Sequence, residues 1–234
     1  MRNGPVGARL AGVALVAATC AFAAQAAPNS FTERGAYDAA VAGLGNASTA
    51  TLDFDSLAAG DLIVSGGTLG GIAFSYSFGG PSLRITAGAD TTSLPNFLGT
   101  DDAGILQDGD DITLGFAARN ALGLYVMSRD SLVDNDFRLT VGTFSAGLST
   151  AKLQRSLADG TSVYFLGIVD PMTTFTSASL TTSHDGEVGA FLWNADDIVT
   201  ALAPVPEPKT WAILLAGLGL LGLRLSRPDR VSRP

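Results

Sequence analysis

The residues able to carry chemistry in this chain are mostly aspartates. Its 234 residues include 22 Asp and Glu against 14 Lys and Arg, a formal net charge of −8, with one histidine and one cysteine. A single imidazole, His184, excludes a multi-histidine metal site and weakens any Ser-His-Asp triad; His184-Asp185-Gly186 reads as a polar turn. No P-loop, HExxH or GxSxG occurs, and no GxGxxG stands at a strand-to-helix junction. Carboxylate pairs for glycoside hydrolysis can be drawn from so many acids that the pattern points nowhere. The expectation is a protein without a catalytic role.

Two groups of acids carry more information. Asp53 and Asp55 alternate with Leu52 and Phe54, which turns both carboxylates away from a core. Asp196 and Asp197 lie near the end of the folded body. First and last strands of a sandwich often neighbour each other, so the four carboxylates can meet at one edge. Ca²⁺ takes about 6–8 oxygen ligands in flexible geometry, and a structural calcium is the cofactor this group would suit. Asp108-x-Asp110-Asp111 is a second such group. The competing reading for both is that Asp makes turns and solvates sheet edges. Tyr76, Phe78, Tyr125, Tyr164 and Trp193 are candidates for stacking on sugars and equally candidates for the core.

The elements that must position these residues are mainly strands. Residues 30–45 predict one short helix, with Ser30 and Glu33 as a capping box, Tyr37, Ala40, Val41 and Leu44 on one face, and Gly45 as its stop. Beyond Thr49 the apolar residues alternate with polar ones. Strands are predicted over Thr51–Phe54, Ile72–Ser77, Leu83–Thr86, Asp111–Phe116, Ala121–Met127, Phe137–Val141, Ser162–Val169, Thr174–Thr181 and Ala190–Val199. Gly, Asp, Asn and Pro turns separate them. This pattern predicts a mainly β body over residues 27–203, a single antiparallel β-sandwich with jelly-roll-like character preceded by the helix.

The two ends are different in kind. Arg2 and Arg9 precede an apolar stretch from Leu10 to Ala24, and Ala24-Gln25-Ala26 is a small-x-small cleavage site. Residues 1–26 therefore predict a secretory signal peptide. Cys20 lies inside it, so the mature chain has no thiol chemistry and no disulfide; attachment of a lipid at Cys20 is the alternative, with Thr19 a bulky neighbour for it. At the other end, residues 204–209 form a Pro-Glu-Pro linker and residues 210–225 an apolar segment, followed by a basic tail over 226–234. The segment of 16 residues spans roughly 24 Å as a helix, short of a hydrocarbon core of roughly 30 Å. Trp211 at its entry, Arg224 snorkelling at its exit, and basic residues beyond favour a transmembrane helix with a cytoplasmic C-terminus. Setting both ends aside leaves 7 basic and 20 acidic residues, a body near −13. Such a surface repels nucleic acid.

The tail resembles the PEP-CTERM sorting signal of exported bacterial proteins. The parts that carry the resemblance are Val205-Pro206-Glu207-Pro208, then Thr210-Trp211-Ala212, then the run containing Leu214, Gly217 and Leu220, then Arg224 and Arg227. Pro228 and Asp229 interrupt the usual basic run. The resemblance implies a Gram-negative-type envelope, processing near Pro-Glu-Pro by the membrane protease-transpeptidase exosortase, and a precursor held in the inner membrane before delivery to the cell surface or matrix. It also implies an association with exopolysaccharide and biofilm; the same tail is also labelled as the C-terminal region of ice-binding proteins, which says nothing of the body. The body loosely resembles jelly-roll modules related to carbohydrate-binding modules. The resulting expectation is a non-catalytic exported protein, with a calcium-stabilised glycan-binding module as the alternative and a secreted hydrolase as a third.

Overall fold

The computed structural model describes residues 27–88, 91–100, 105–183 and 191–204. They build two antiparallel sheets packed as a sandwich, with one short α-helix. The larger sheet runs β1 (Asn29–Phe31), β14 (Ser162–Val169), β10 (Ala121–Ser128), β16 (Leu192–Leu202), β7 (Asn96–Thr100), β6 (Leu83–Ala87), β3 (Leu62–Ile63). Beside this path β13 (Arg155–Ser156) pairs with β14, while β2 (Ser48–Leu52) and β8 (Leu106–Gln107) pair with β16. The second sheet runs β12 (Phe144–Gly147), β11 (Phe137–Val141), β15 (Phe175–Thr182), β9 (Ile112–Arg119), β5 (Ile72–Tyr76), β4 (Gly67–Leu69).

The alternating strands supply the core. Leu122, Leu124 and Val126 of β10 and Leu166 and Ile168 of β14 share a buried cluster with Phe74, Leu114, Leu139 and Leu180 of the facing sheet. Trp193 lies edge-on to Phe137 with ring centroids 5.2 Å apart, and its indole N–H donates to the Gln107 carbonyl at 2.8 Å. Trp193 and Tyr164 are thus core residues. Tyr76 stacks on Phe78 at 4.4 Å and is held through its hydroxyl by the Ile63 carbonyl at 2.7 Å.

The outer face of the larger sheet is covered by α1 (Arg34–Ala42), which buries Tyr37 and Val41 against Ala121, Phe165, Val169 and Val199. That cover explains why β10 and β14 are buried on both faces rather than alternating. The seat is made by a cross-strand glycine pair, Gly123 and Gly167. A Cβ on Gly123 would come within 2.5 Å of Phe165, and one on Gly167 within 2.6 Å of Tyr37. Both neighbours are fixed rings, and overpacking of this kind costs about 1–3 kcal/mol. Gly167→Ala is expected to lower the melting temperature by several degrees; a melt unchanged within a degree would show that the ring has room to move.

Two expectations about α1 are corrected. Ser30 does not cap it, because Ser30 sits in β1 opposite Ile168. Glu33 occupies the N-cap position without a side-chain capping bond, and its carboxylate instead meets Lys152 at 2.8 Å. The helix ends at Gly43 rather than at Gly45, which takes a left-handed φ of 73° in the following turn. Among the described residues no helix is long and apolar enough to cross a membrane.

The register fixes where the chain enters and leaves. Asn29 pairs with Val169, Val169 with Ala121, and Ala121 with Ala201. These four residues form one row across the sheet. β1 starts at that row and β16 ends at it, so both leave from the same end of the sandwich. Three strand spacings of about 4.8 Å put them roughly 14 Å apart. The exit is tied down by buried Asn120: its Nδ2 donates to the Asp170 carbonyl at 3.0 Å and its Oδ1 accepts the Ala203 N–H at 2.9 Å.

Candidate functional site

The sequence's four metal candidates are brought to one locality by pairing of β2 with β16, Leu52 opposite Ile198. The loop from Thr91 to Asn96 binds them together. Asp196 is fully buried, at 0% exposure. Its Oδ2 accepts bonds from the Thr91 hydroxyl, the Thr92 hydroxyl (2.9 Å), the Ser93 N–H (2.9 Å) and the Ser93 hydroxyl (2.9 Å), and its Oδ1 accepts the Asp197 N–H at 2.7 Å. Burial pushes its carboxyl up to about 6, against the pull of the Thr91 and Ser93 bonds and with a further push from neighbouring Asp197. Asp53 caps its own turn through the Asp55 N–H at 3.3 Å, and Asp55 accepts the Asn96 N–H at 3.2 Å.

This is not the oxygen cage expected for calcium. Among the described residues no three Asp, Glu, His or Cys side chains stand together so as to hold a metal ion. Protein donors take both oxygens of Asp196, and one oxygen each of Asp53 and Asp55 accepts a backbone N–H. The Asp108–Asp111 group behaves as a turn. Asp110 accepts the Gln107 N–H at 2.8 Å, and Asp111 accepts the Thr182 N–H at 2.9 Å. His184-Asp185-Gly186 lies outside the described residues.

Beside Asp196 a polar groove of about 490 Å³ opens on the outer face of the larger sheet, lined by Arg34, Thr92, Tyr125, Gln154, Arg155 and Asp197. Its walls are fixed. Gln154 accepts the Arg34 N–H at 3.2 Å and donates to the carbonyls of Thr32 (3.1 Å) and Lys152 (2.9 Å), which joins the start of α1 to the segment before β13. Arg155 donates to the Thr92 carbonyl at 2.8 Å. The Arg34 guanidinium lies 5.8 Å from the Tyr125 ring centroid and 5.7 Å from that of Phe165, with its Nε on Asp38 at 2.8 Å. Burial raises the Tyr125 phenol, opposed by the charges of Arg34 and Arg155.

Asp197 is the strained member of the groove. Its φ is 50°, the left-handed region that a non-glycine residue rarely adopts. It sits where β16 slips register against β10, between the pairs Gly123–Val199 and Tyr125–Asp196. Such bulges re-aim a side chain and cluster next to functional sites. Of the groove's residues, sequence reasoning singles out Tyr125 and Asp197. Arg34, Thr92 and the adjacent Gln154 and Arg155 come from three separate segments with no shared spacing to reveal them.

The fold and site define an antiparallel β-sandwich with a polar groove and no motif of a known catalytic centre in its sequence. Residues 204–227 match the PEP-CTERM protein-sorting motif, and no family matches the body. No curated protein and no solved structure matches the chain. The motif makes this an exported protein that exosortase processes and sorts to the cell surface. Val205, Pro206, Glu207 and Pro208, the anchor residues Trp211, Leu214, Gly217, Leu220, Arg224 and Arg227, and the cleavage residues Ala24 and Ala26 all lie outside the described residues.

Proposed function

We propose that the protein is a non-catalytic component of the cell surface or extracellular matrix, delivered through a short-lived membrane anchor and associated there with exopolysaccharide. The observation that carries this reading is the PEP-CTERM motif at residues 204–227, and the common end of β1 and β16 gives it an orientation. Residue 27, where the mature chain is predicted to begin, is two positions before the first strand. Beyond Ala203 the chain can reach at most about 3.6 Å per residue, so Glu207 lies within about 14 Å of the pinned strand end and Thr210 within about 25 Å. The precursor therefore stands with one end of its sandwich against the bilayer, and the groove at mid-sheet faces sideways into the periplasm and later into the matrix. The acidic body keeps the domain soluble and away from anionic lipid.

The test is mass spectrometry of the mature C-terminus in cells with and without exosortase. The expected result is a terminus near Pro206-Glu207-Pro208 in the first strain and at Pro234 in the second. Chains ending at Pro234 in both would make the tail a permanent anchor and overturn the reading.

A further inference from the structure

We infer that the groove between α1, β10, β13 and β16 is a saccharide site whose preferred ligand is a pyranose carrying a carboxylate, a uronate residue of an acidic polysaccharide. The inference rests on the matrix-facing reading above. The cavity volume of about 490 Å³ falls within the range of about 300–1,000 Å³ typical of small-molecule sites. Its lining joins donors and acceptors in the mixture that a ring of hydroxyls requires. Thr92 and Tyr125 supply hydroxyls, Asp197 supplies a carboxylate able to accept two sugar O–H groups, and two guanidinium groups supply N–H donors.

The charge pattern selects the acid. Arg34, Lys152 and Arg155 are three of the seven basic residues of the body, and they stand within two neighbouring segments. Glu33 and Asp38 neutralise Lys152 and Arg34, while the Arg155 guanidinium donates to a carbonyl, that of Thr92. Arg155 is thus the cation positioned to pair with an incoming carboxylate, and planar guanidinium groups do so bidentately. The remaining acids of the body oppose a polyanion, but screening at physiological salt confines each to about 8 Å.

A second, independent feature points to the sugar hydroxyls rather than to the acid group. Asp197 holds its left-handed φ of 50° at the β16 bulge and so places its carboxylate in the groove wall, where the Thr92 hydroxyl orients it at 2.8 Å. Glycine would satisfy that backbone without strain. An aspartate there contributes a carboxylate that the sandwich does not need for its core.

The experiment is calorimetric titration of the full-length chain in detergent with three soluble probes: an oligogalacturonate, a neutral cello-oligosaccharide of matched length, and sodium acetate. The expected result is saturable binding of the oligogalacturonate at least tenfold tighter than that of the neutral oligomer, with acetate showing none. Arg155→Gln, at an exposed position, should weaken the uronate at least tenfold and leave the melting temperature unchanged. Asp197→Gly should abolish binding without lowering the melting temperature. Equal affinity for the neutral oligomer, binding of acetate alone, or full affinity in Arg155→Gln would each overturn the assignment. None of these outcomes bears on tail processing, which the C-terminal mass spectrum reads separately.

Discussion

Replacing Pro206-Glu207-Pro208 with three alanines is expected to leave uncut protein in the membrane fraction, whereas deleting Thr210–Leu225 should release uncut protein into the soluble fraction. The two variants separate almost completely on fractionation, although neither alters a residue of the sandwich. Each part of the motif depends on the others. A residue between two prolines is disfavoured in helix and sheet, which suits a protease that needs extended chain. An extended segment is of no use to a membrane enzyme unless it is held at the bilayer, which falls to the apolar stretch. On the proposed reading that short stretch would be held by Trp211 and the following arginines. The structure adds a steric condition. β16 runs to Leu202, and Asn120 then pins Ala203, so the folded body stops only a few residues before the motif. Melting of the body should be the same in both variants. If the alanine variant is processed normally, the Pro-Glu-Pro element is not what the enzyme reads.

The parts of the fold that depend on local pattern were legible in the sequence, and those that depend on a distant partner were not. β5, β6 and β11 announce themselves by alternation, β10 and β14 by long apolar runs, and all five by the turns that bound them; their observed limits lie within a residue of those expected. β7 does not, because all five of its residues are buried and the run has no alternation to detect. β1 is invisible for another reason: Ser30 and Glu33 have the spacing of a capping box, but Ser30 is claimed by β14. The face of α1 that packs down, Tyr37 and Val41, reads directly from its i, i+4 spacing. Its seat does not, since Gly123 and Gly167 become neighbours only in the sheet. At the site, Asp196-Asp197 stands out by charge. That one is enclosed by the Thr91–Ser93 loop while the other lines a groove with Arg34 and Arg155 results from a register slip, and no local pattern records a slip.

The enclosed member of that pair governs the second large effect. The carboxyl of Asp196 is raised from 3.8 to about 6, so the folded protein binds its proton more tightly than the unfolded chain does. Below pH 4 the group is protonated in both states and contributes no dependence. As pH rises from about 4 to about 6, the unfolded state releases the proton first. Stability then falls at about 1.4 kcal/mol per pH unit, or about 3 kcal/mol in all, and levels off above pH 6. Asp196→Asn cannot titrate, so its stability should be flat where the wild type falls. The amide still offers one oxygen to the Ser93 N–H and the hydroxyls, but its NH₂ then faces the Asp197 N–H, a donor against a donor. That leaves one buried donor unsatisfied, a cost of about 1–3 kcal/mol. Asp196→Ala removes both acceptors, and the Ser93 and Asp197 N–H groups lose their partners together, about 2–6 kcal/mol by the same reckoning. The Thr92 and Ser93 hydroxyls are less affected, because Thr92 retains Asp197 and Ser93 retains the Asp53 carbonyl, whereas the buried Thr91 hydroxyl loses its bond to Asp196 as well. Denaturant unfolding at pH 4 and pH 7 measures both effects. The deficit of Asp196→Asn relative to wild type should shrink by up to about 3 kcal/mol between those pH values, since only the wild type gains a buried charge. A deficit constant across that range would mean that Asp196 is already ionised at pH 4, held there by the hydroxyls of Thr91, Thr92 and Ser93, and the account of its burial would have to be reversed.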